Sequence, residues 1–127
     1  MATSTADFKI TGLVAGVDLS AAQYYAVKFA STAGAVIKVA GINGTGVGIL
    51  QNDPTAGQAC LIAGPGDVAK AVAGTSGIAA GELLGYDTSG RVVDHTTDNR
   101  KLIAQALEAS STTGDIISVI VLGDSRY

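Results

Sequence analysis

Two stretches of this chain repeat one pattern and decide its fold: VGILQNDPTAGQACLIAG at residues 47–64 and AQALEASSTTGDIISVIV at residues 104–121. Each consists of a short apolar run, a polar turn that contains Thr-x-Gly, and a second apolar run. The turn glycines, Gly57 and Gly114, lie 57 positions apart. A repeated strand pair is an architectural feature rather than a catalytic one, and it predicts two related β-units in one chain.

The repeat extends beyond the two hairpins. The pairs that match at the offset of 57 are Leu50 with Leu107, Gln51 with Glu108, Thr55 with Thr112 and Ile62 with Val119. Upstream, LSAAQYY from Leu19 matches IAAGELL from Ile78 at an offset of 59. The two repeats are therefore expected at about residues 18–64 and 77–121, inside a single β domain at residues 8–127 that follows an N-terminal arm at residues 1–7.

The apolar residues between the turn signals predict strands rather than helices. They occur in runs of four to eight, separated by Gly, Asn-Gly, Asp-Pro or Ser-Gly. The predicted strands are Phe8–Val14, Tyr24–Ala30, Ala35–Ala40, Val47–Leu50, Gln58–Ala63, Asp67–Val72, Leu83–Tyr86, Arg91–Val93, Leu102–Leu107 and Asp115–Leu122. Residues 67–73 also allow a helix, but flanking glycines favour a strand. Alternation along Tyr24–Ala30 predicts one buried and one wetter face. The expected fold is all-β, a small barrel or sandwich with little helix.

The composition bounds the class of protein. The chain has 127 residues, of which 17 are glycine, and aromatic residues make up only 5%. This length suits one domain, whose core must be built from Ala, Val, Ile and Leu. Charged residues make up 15%, well below the roughly 25% of ordinary soluble domains. Such low charge suggests that something else covers much of the surface.

The same counts argue against several classes of protein. Mean hydropathy is +0.37, but the longest uncharged stretch, residues 39–52, has 14 residues and four glycines and is too short to span a bilayer. The sequence shows no signal-peptide pattern. The eight Lys and Arg are scattered, and only Arg100 and Lys101 are adjacent, which disfavours a nucleic-acid partner. Cys60 is the only cysteine, which excludes an internal disulfide and fits assembly in a reducing compartment.

The polar residues do not form a catalytic or metal-binding pattern. His95, the only histidine, is interpreted as a solvated loop residue, because no nucleophile motif accompanies it. One histidine and one cysteine are too few for an ordinary zinc site. Four aspartates stand on separate turns without the spacing of a calcium loop: Asp53, Asp94, Asp98 and Asp115. We therefore expect no enzymatic activity, no bound metal and no cofactor.

Two glycine-rich segments have only a superficial likeness to phosphate loops. Residues 44–48, GTGVG, lack the Gly-x-Gly-x-x-Gly spacing, and residues 64–70, GPGDVAK, lack the Walker spacing. Both are predicted to be hairpin turns. Asn43 opens a formal glycosylation sequon, which has no meaning without a secretory signal. Cys60 lies within a predicted strand, where a small buried hydrophobic residue is expected.

Several motifs in this order resemble one family. They are LSAAQYY at 19–25, VGILQ at 47–51, AGQ at 56–58, IAAGELLGYD at 78–87, SGRV at 89–92 and IAQALE at 103–108. Together they resemble the head decoration, or capsid cement, proteins of tailed bacteriophages, over most of the chain from about Gly16 to Gly123.

The resemblance implies a structural role in the virion. A cement protein of this kind binds the outer surface of the expanded capsid and bridges neighbouring copies of the major capsid protein, after synthesis in the host cytoplasm. It performs no chemistry, and it stabilises the expanded lattice because it binds that lattice preferentially. Self-association, most simply as a trimer, is expected, with neither a nucleic-acid nor a membrane partner. The alternative is a β-rich adhesion or carbohydrate-binding module on a virion or cell surface.

The segment Met1–Ile10, which contains the N-terminal arm and the start of the β domain, is the expected capsid-binding element. Its first seven residues are rich in Ala, Ser and Thr and have little apolar side chain with which to order themselves. Thr3, Thr5, Phe8 and Ile10 could form an extended strand along an unpaired sheet edge of a partner. In this hypothesis Phe8 is the anchor; the alternative is that Phe8 lies in the protein's own core.

Overall fold

The computed structural model describes residues 12–40, 45–94 and 101–126 and places ten β-strands in them. The strands are β1 (Val14–Ala15), β2 (Ala26–Phe29), β3 (Ala35–Lys38), β4 (Gly46–Leu50), β5 (Ile62–Ala63), β6 (Val68–Val72), β7 (Leu83–Tyr86), β8 (Val92–Asp94), β9 (Lys101–Ala106) and β10 (Ile116–Arg126). No helix occurs in these ranges. The all-β prediction is confirmed, and residues 67–73, which also allowed a helix, contain β6. Residues 8–11 of the first predicted strand lie outside the described residues.

The ten strands form two sheets, and in each sheet the five strands follow the same order around a closed barrel. The first sheet has the order β1-β3-β2-β4-β5 and the second has the order β6-β10-β9-β7-β8. An antiparallel bridge between Val14 and Ala59 joins the two ends of the first sheet, and a parallel bridge between Ala73 and Val92 joins the ends of the second. Each half is therefore a small five-stranded barrel, called here the N-terminal barrel (residues 14–63) and the C-terminal barrel (residues 68–126).

The backbone hydrogen bonds show how the two repeats correspond. The N–H of Tyr25 donates to the carbonyl of Ala22, and the N–H of Glu82 donates to the carbonyl of Ala79, so both partners differ by 57. The sequence match at 59 is therefore wrong where the chain enters β2 and β7. That match rests on apolar residues alone, whereas the positive φ values of Tyr24 and Gly81 follow the offset of 57. Within β4 and β9 the offset is 56, because Ala26 pairs with Ile49 while Leu83 pairs with Gln105.

The two Thr-x-Gly turns that suggested the repeat have the same hydrogen bonds. In the first, the N–H of Thr55 donates to the side-chain oxygen of Gln58 at 2.8 Å, and in the second the N–H of Thr112 donates to the Asp115 carboxylate at 3.0 Å. Gly57 occupies a positive φ of 84° and Gly114 one of 97°. Glycine tolerates this left-handed conformation without a steric cost, which explains its place in both turns.

The core consists of two clusters. One fills the N-terminal barrel and contains Val27, Val36, Leu50, Cys60 and Ile62 among its members. The other fills the C-terminal barrel and extends into the junction between the barrels, where it includes Ala26, Ile49 and Ala63. Both Ala26 and Val27 are fully buried. These two residues point to opposite faces of β2, so the face that alternation predicted to be wetter is in fact buried at Ala26. The reason is that the C-terminal barrel covers the outer side of β2.

Candidate interaction surfaces

The side chains that could carry chemistry do not converge on a site. In the part of the chain that the structure describes, no group of three His, Cys, Asp or Glu residues could hold a metal ion. Asp53 is exposed on a loop, and Asp115 accepts hydrogen bonds from the N–H groups of Ser111 and Thr112. Asp94 ends β8. His95 and Asp98 lie outside the described residues.

The buried cysteine behaves as a core residue. Cys60 is only 4% exposed, and its N–H donates to the carbonyl of Leu13. Burial raises the pKa of its thiol, which keeps the sulfur in its unreactive neutral form. Among the described residues, no helix is long and apolar enough to cross a membrane.

The two glycine-rich segments differ in structure. Gly46 and Gly48 lie within strand β4. The predicted strand Val47–Leu50 is therefore confirmed and begins one residue earlier, and the hairpin turn predicted for residues 44–48 is wrong at Gly46 and Gly48. A Cβ on Gly46 would come within 3.1 Å of the Tyr86 ring, and one on Gly48 would lie 2.7 Å from Ile62 Cγ2. Both glycines therefore allow close packing rather than phosphate binding. The other segment does turn before β6, because Asp67 bonds through its N–H and its carboxylate to the backbone of Gly64.

The residues predicted to grip a capsid lie outside the described ranges. These are Thr3, Thr5, Phe8 and Ile10. The loop at Asn43 is likewise not described. The described surfaces are therefore those of the two barrels themselves.

The two barrels are joined by backbone-directed hydrogen bonds as well as by apolar packing. The N–H of Gly46 donates to the Tyr86 hydroxyl at 3.2 Å in a buried position. The side-chain amide of Gln51 donates to the carbonyl of Lys70 at 3.0 Å and accepts from its N–H at 3.2 Å, as an adjacent strand would. The N–H of Ala26 donates to the carbonyl of Gly90 at 2.7 Å. These bonds fix the relative position of the barrels.

An apolar surface covers the outside of the C-terminal barrel. Its large exposed side chains are Val68, Leu83, Leu107, Ile116 and Leu122. Val68 and Ile116 are on the neighbouring strands β6 and β10, whose intervening outward residues are Lys70 and Ser118. Exposed apolar side chains gathered on one face of a sheet commonly mark an interaction site. Sequence analysis missed it, although the apolar residues on both sides of β10 were a signal for it.

An open groove runs along the junction between the barrels. It has a volume of about 420 Å³ and is lined by Tyr24, Gln51, Leu61, Val68, Ala69, Lys70 and Ser118. Tyr24 has a φ of 71°, a left-handed conformation that is costly for a residue with a Cβ. Its counterpart at an offset of 57 is Gly81, with a φ of 87°. In the C-terminal barrel the strain is thus relieved by glycine, while the N-terminal barrel retains an aromatic side chain at the groove.

Comparisons with known proteins identify the fold. Neither a comparison with protein-family models nor a search of curated proteins finds a match. Among solved structures, the chain is similar to the N base of the head fiber protein gp8.5 of bacteriophage phi29, with a TM-score of 0.65 and 18% sequence identity. The similarity covers 93% of this chain and 95% of that one. The two chains therefore share one double-barrel architecture along almost their whole length.

Proposed function

We propose that this protein is a structural component of a phage virion that decorates the head and cements the capsid. In this proposal it binds the outer surface of the expanded shell and bridges neighbouring copies of the major capsid protein. The observation that carries the proposal is the likeness of its fold to the base of a phage head fiber, end to end in both chains. The order of motifs in the sequence resembles that of capsid cement proteins, and this resemblance does not depend on the likeness of the fold.

The surface chemistry supports a binding role rather than catalysis. The described residues combine large exposed apolar side chains with few charges, and their acidic and thiol groups are dispersed. Surfaces of this kind gain free energy when a neighbour removes them from water. Many such contacts, repeated over a shell, would stabilise the expanded lattice by mass action because they form on that lattice alone.

The alternative of a carbohydrate-binding module has less support from the structure. Such modules usually present exposed aromatic faces to the sugar. Of the described tyrosines, Tyr86 is fully buried, and Tyr24 and Tyr25 are half-buried. Lys38 Nζ lies 5.2 Å from the centre of the Tyr25 ring, which partly covers that face.

The proposed capsid-binding element is the segment Met1–Ile10, which contains the N-terminal arm; its contact residues are Thr3, Thr5, Phe8 and Ile10. Deleting residues 2–7 tests it. We expect the truncated protein to fold with an unchanged melting temperature and to lose most of its affinity for expanded heads, because strand addition to the capsid would lose its main-chain hydrogen bonds. Binding is measured by co-sedimentation with expanded and unexpanded heads assembled from the proposed partner, the phage major capsid protein.

A matched control is Asp53→Ala, a single change on an exposed loop of the N-terminal barrel. It should leave both folding and head binding unchanged. If the deletion variant binds expanded heads as well as the full chain does, the arm is not the capsid contact, and the loops around Asn43 and Asp94 become the next candidates. If the full chain binds neither form of the head, the cement function itself is refuted.

A further inference from the structure

The chain is fixed to the N-terminal barrel immediately after Gly12. The carbonyl of Leu13 accepts a hydrogen bond from the N–H of Cys60, and the N–H of Val14 donates to the carbonyl of Gly34 at 3.0 Å. Strand β1 begins at Val14 and pairs with β3. The backbone is therefore held from two sides from Leu13 onward. The direction in which the chain reaches this fixed point depends on the backbone conformation of Gly12.

Gly12 has a backbone conformation that residues with a Cβ disfavour. Its φ is 81°, the residue is exposed, and the chain bends there. Apart from its chain neighbours, no atom of the described residues would lie within 4 Å of a Cβ at this position. Lack of space therefore does not require a glycine here. The positive φ does, because glycine adopts it without the steric cost that a Cβ causes.

The C-terminal barrel follows a different path at the corresponding residue. Ala15 and Ala73 correspond, because each bonds through its N–H and its carbonyl to a Thr-x-Gly turn. At this offset of 58, Gly12 corresponds to Lys70, which lies inside β6. Strand β6 extends to Val68 and pairs with β10 over its whole length. The residues before Lys70 thus stay on the barrel, whereas Gly12 interrupts the strand at the same point of the repeat.

We propose that Gly12 is a positioning residue for capsid binding, whose left-handed conformation turns the segment Met1–Ile10 off the barrel and toward the capsid. The inference rests on the proposed function, in which this segment adds a strand to a partner sheet. Strand addition requires the incoming backbone to arrive in one direction and one register. A fixed bend next to the barrel supplies that direction. Residues 1–7, rich in Ala, Ser and Thr, have little side-chain packing with which to supply it themselves.

The size of the effect follows from the geometry of the backbone. Residues other than glycine prefer a φ between about −60° and −160°, so a side chain at position 12 would rotate the preceding chain by roughly 120° or more. In an extended segment, Phe8 lies up to about 13 Å from Gly12. A rotation of this size moves Phe8 by more than the spacing of about 4.8 Å between neighbouring strands. The segment would then miss the sheet edge with which it pairs.

Gly12→Ala tests the proposal. Alanine disfavours the positive φ, and we expect this variant to bind expanded heads at least about tenfold more weakly than the wild-type chain in co-sedimentation. Its melting temperature should fall by no more than about 2 °C. The reason is that the proposed function has the segment before Gly12 held by the capsid rather than by the barrel, so the chain can turn to a φ that alanine accepts.

Gly77→Ala is the matched control in the C-terminal barrel. Gly77 has the same φ of 81° and the same open space around it. Its N–H donates to the carbonyl of Ser110, and the next residue, Ile78, pairs with Ser110, so the chain cannot turn there without breaking these bonds. This variant should lower Tm by about 4–8 °C and leave head binding unchanged. The two alanine variants are therefore expected to have opposite effects on stability and on binding.

A second substitution at position 12 separates the conformation from the glycine itself. Asparagine tolerates the left-handed region, so Gly12→Asn should retain most of the wild-type affinity for expanded heads. Wild-type binding together with unchanged binding of Gly12→Ala overturns this inference and leaves the proposed function standing. Equal losses in Gly12→Ala and Gly12→Asn overturn it as well, because the left-handed conformation would then not matter. A wild-type chain that binds no heads refutes the proposed function, and this inference with it.

Discussion

The buried hydroxyl of Tyr86 offers the sharpest test of how the two barrels are held together. Tyr86→Phe removes the acceptor for the Gly46 N–H, which lies 3.2 Å from the hydroxyl oxygen in a buried position. A buried donor that loses its partner costs about 1–3 kcal/mol. The ring itself stays in place, so no large cavity is formed, and the loss reports on the hydrogen bonding of the hydroxyl alone.

The expected shift in melting temperature follows from the size of the chain. Unfolding entropy is about 2.1 cal/mol/K per residue, so for 127 residues each kcal/mol lowers Tm by roughly 4 °C. Tyr86→Phe should therefore lower Tm by about 4–11 °C. The assay is thermal and urea unfolding followed by circular dichroism, with an unchanged urea m-value as the sign that only stability has changed.

The repeat supplies a matched control for this change. Phe29 corresponds to Tyr86, because Phe29 pairs with Val36 as Tyr86 pairs with Val92. Phe29→Tyr is therefore the reverse substitution in the N-terminal barrel, at a side chain that is 59% exposed. At such a surface position the change should fall within about 0.5 kcal/mol of the wild-type chain. A Tyr86→Phe shift below about 2 °C, or equal shifts in the two variants, would refute the claim that the Tyr86 hydroxyl joins the barrels.

Two further predictions concern single positions in the N-terminal barrel. Gly48→Ala should lower the free energy of unfolding in urea by at least about 2 kcal/mol, because its Cβ would overlap the carbonyl oxygen of Ala63 across the β4–β5 pair. Gly57→Ala has open space around it and should cost about 1–2 kcal/mol from its positive φ alone. Equal costs for the two variants would contradict this account. Because burial raises the pKa of the Cys60 thiol, the unfolded chain ionises first, and stability should fall as the pH rises above the ordinary thiol pKa of about 8.5. The decline measured by urea unfolding should be shallower in Cys60→Ala, and an identical pH dependence in the two proteins would show that Cys60 contributes nothing to it.

Much of the fold could be predicted from local signals. Gly, Asn-Gly, Asp-Pro and Ser-Gly separate runs of apolar residues, and such punctuation depends only on the conformations that each residue allows. Each of the ten predicted strands overlaps one observed strand, but their bounds differ. The predicted strand Phe8–Val14 shares only Val14 with β1, and the predicted strand Gln58–Ala63 contains the two residues of β5; residues 8–11 lie outside the described residues. The Thr-x-Gly turns were recognisable because their glycines and side-chain acceptors are needed for the turn geometry itself. Residues that a turn requires for its own geometry can therefore be recognised from the sequence.

The outer surfaces could not be predicted, because their burial depends on distant parts of the chain. Ala26 looked like a residue of the wetter face, since alternation in β2 predicts two sides but not what covers them. The run GTGVG at residues 44–48 predicted a turn because glycine within a strand is uncommon. The reason for Gly46 and Gly48, close approach of Tyr86 and Ile62, lies in the packing between strands. Phe29 is 59% exposed, although alternation in β2 places it on the same face as the fully buried Val27. What covers each end of the strand again depends on distant parts of the chain.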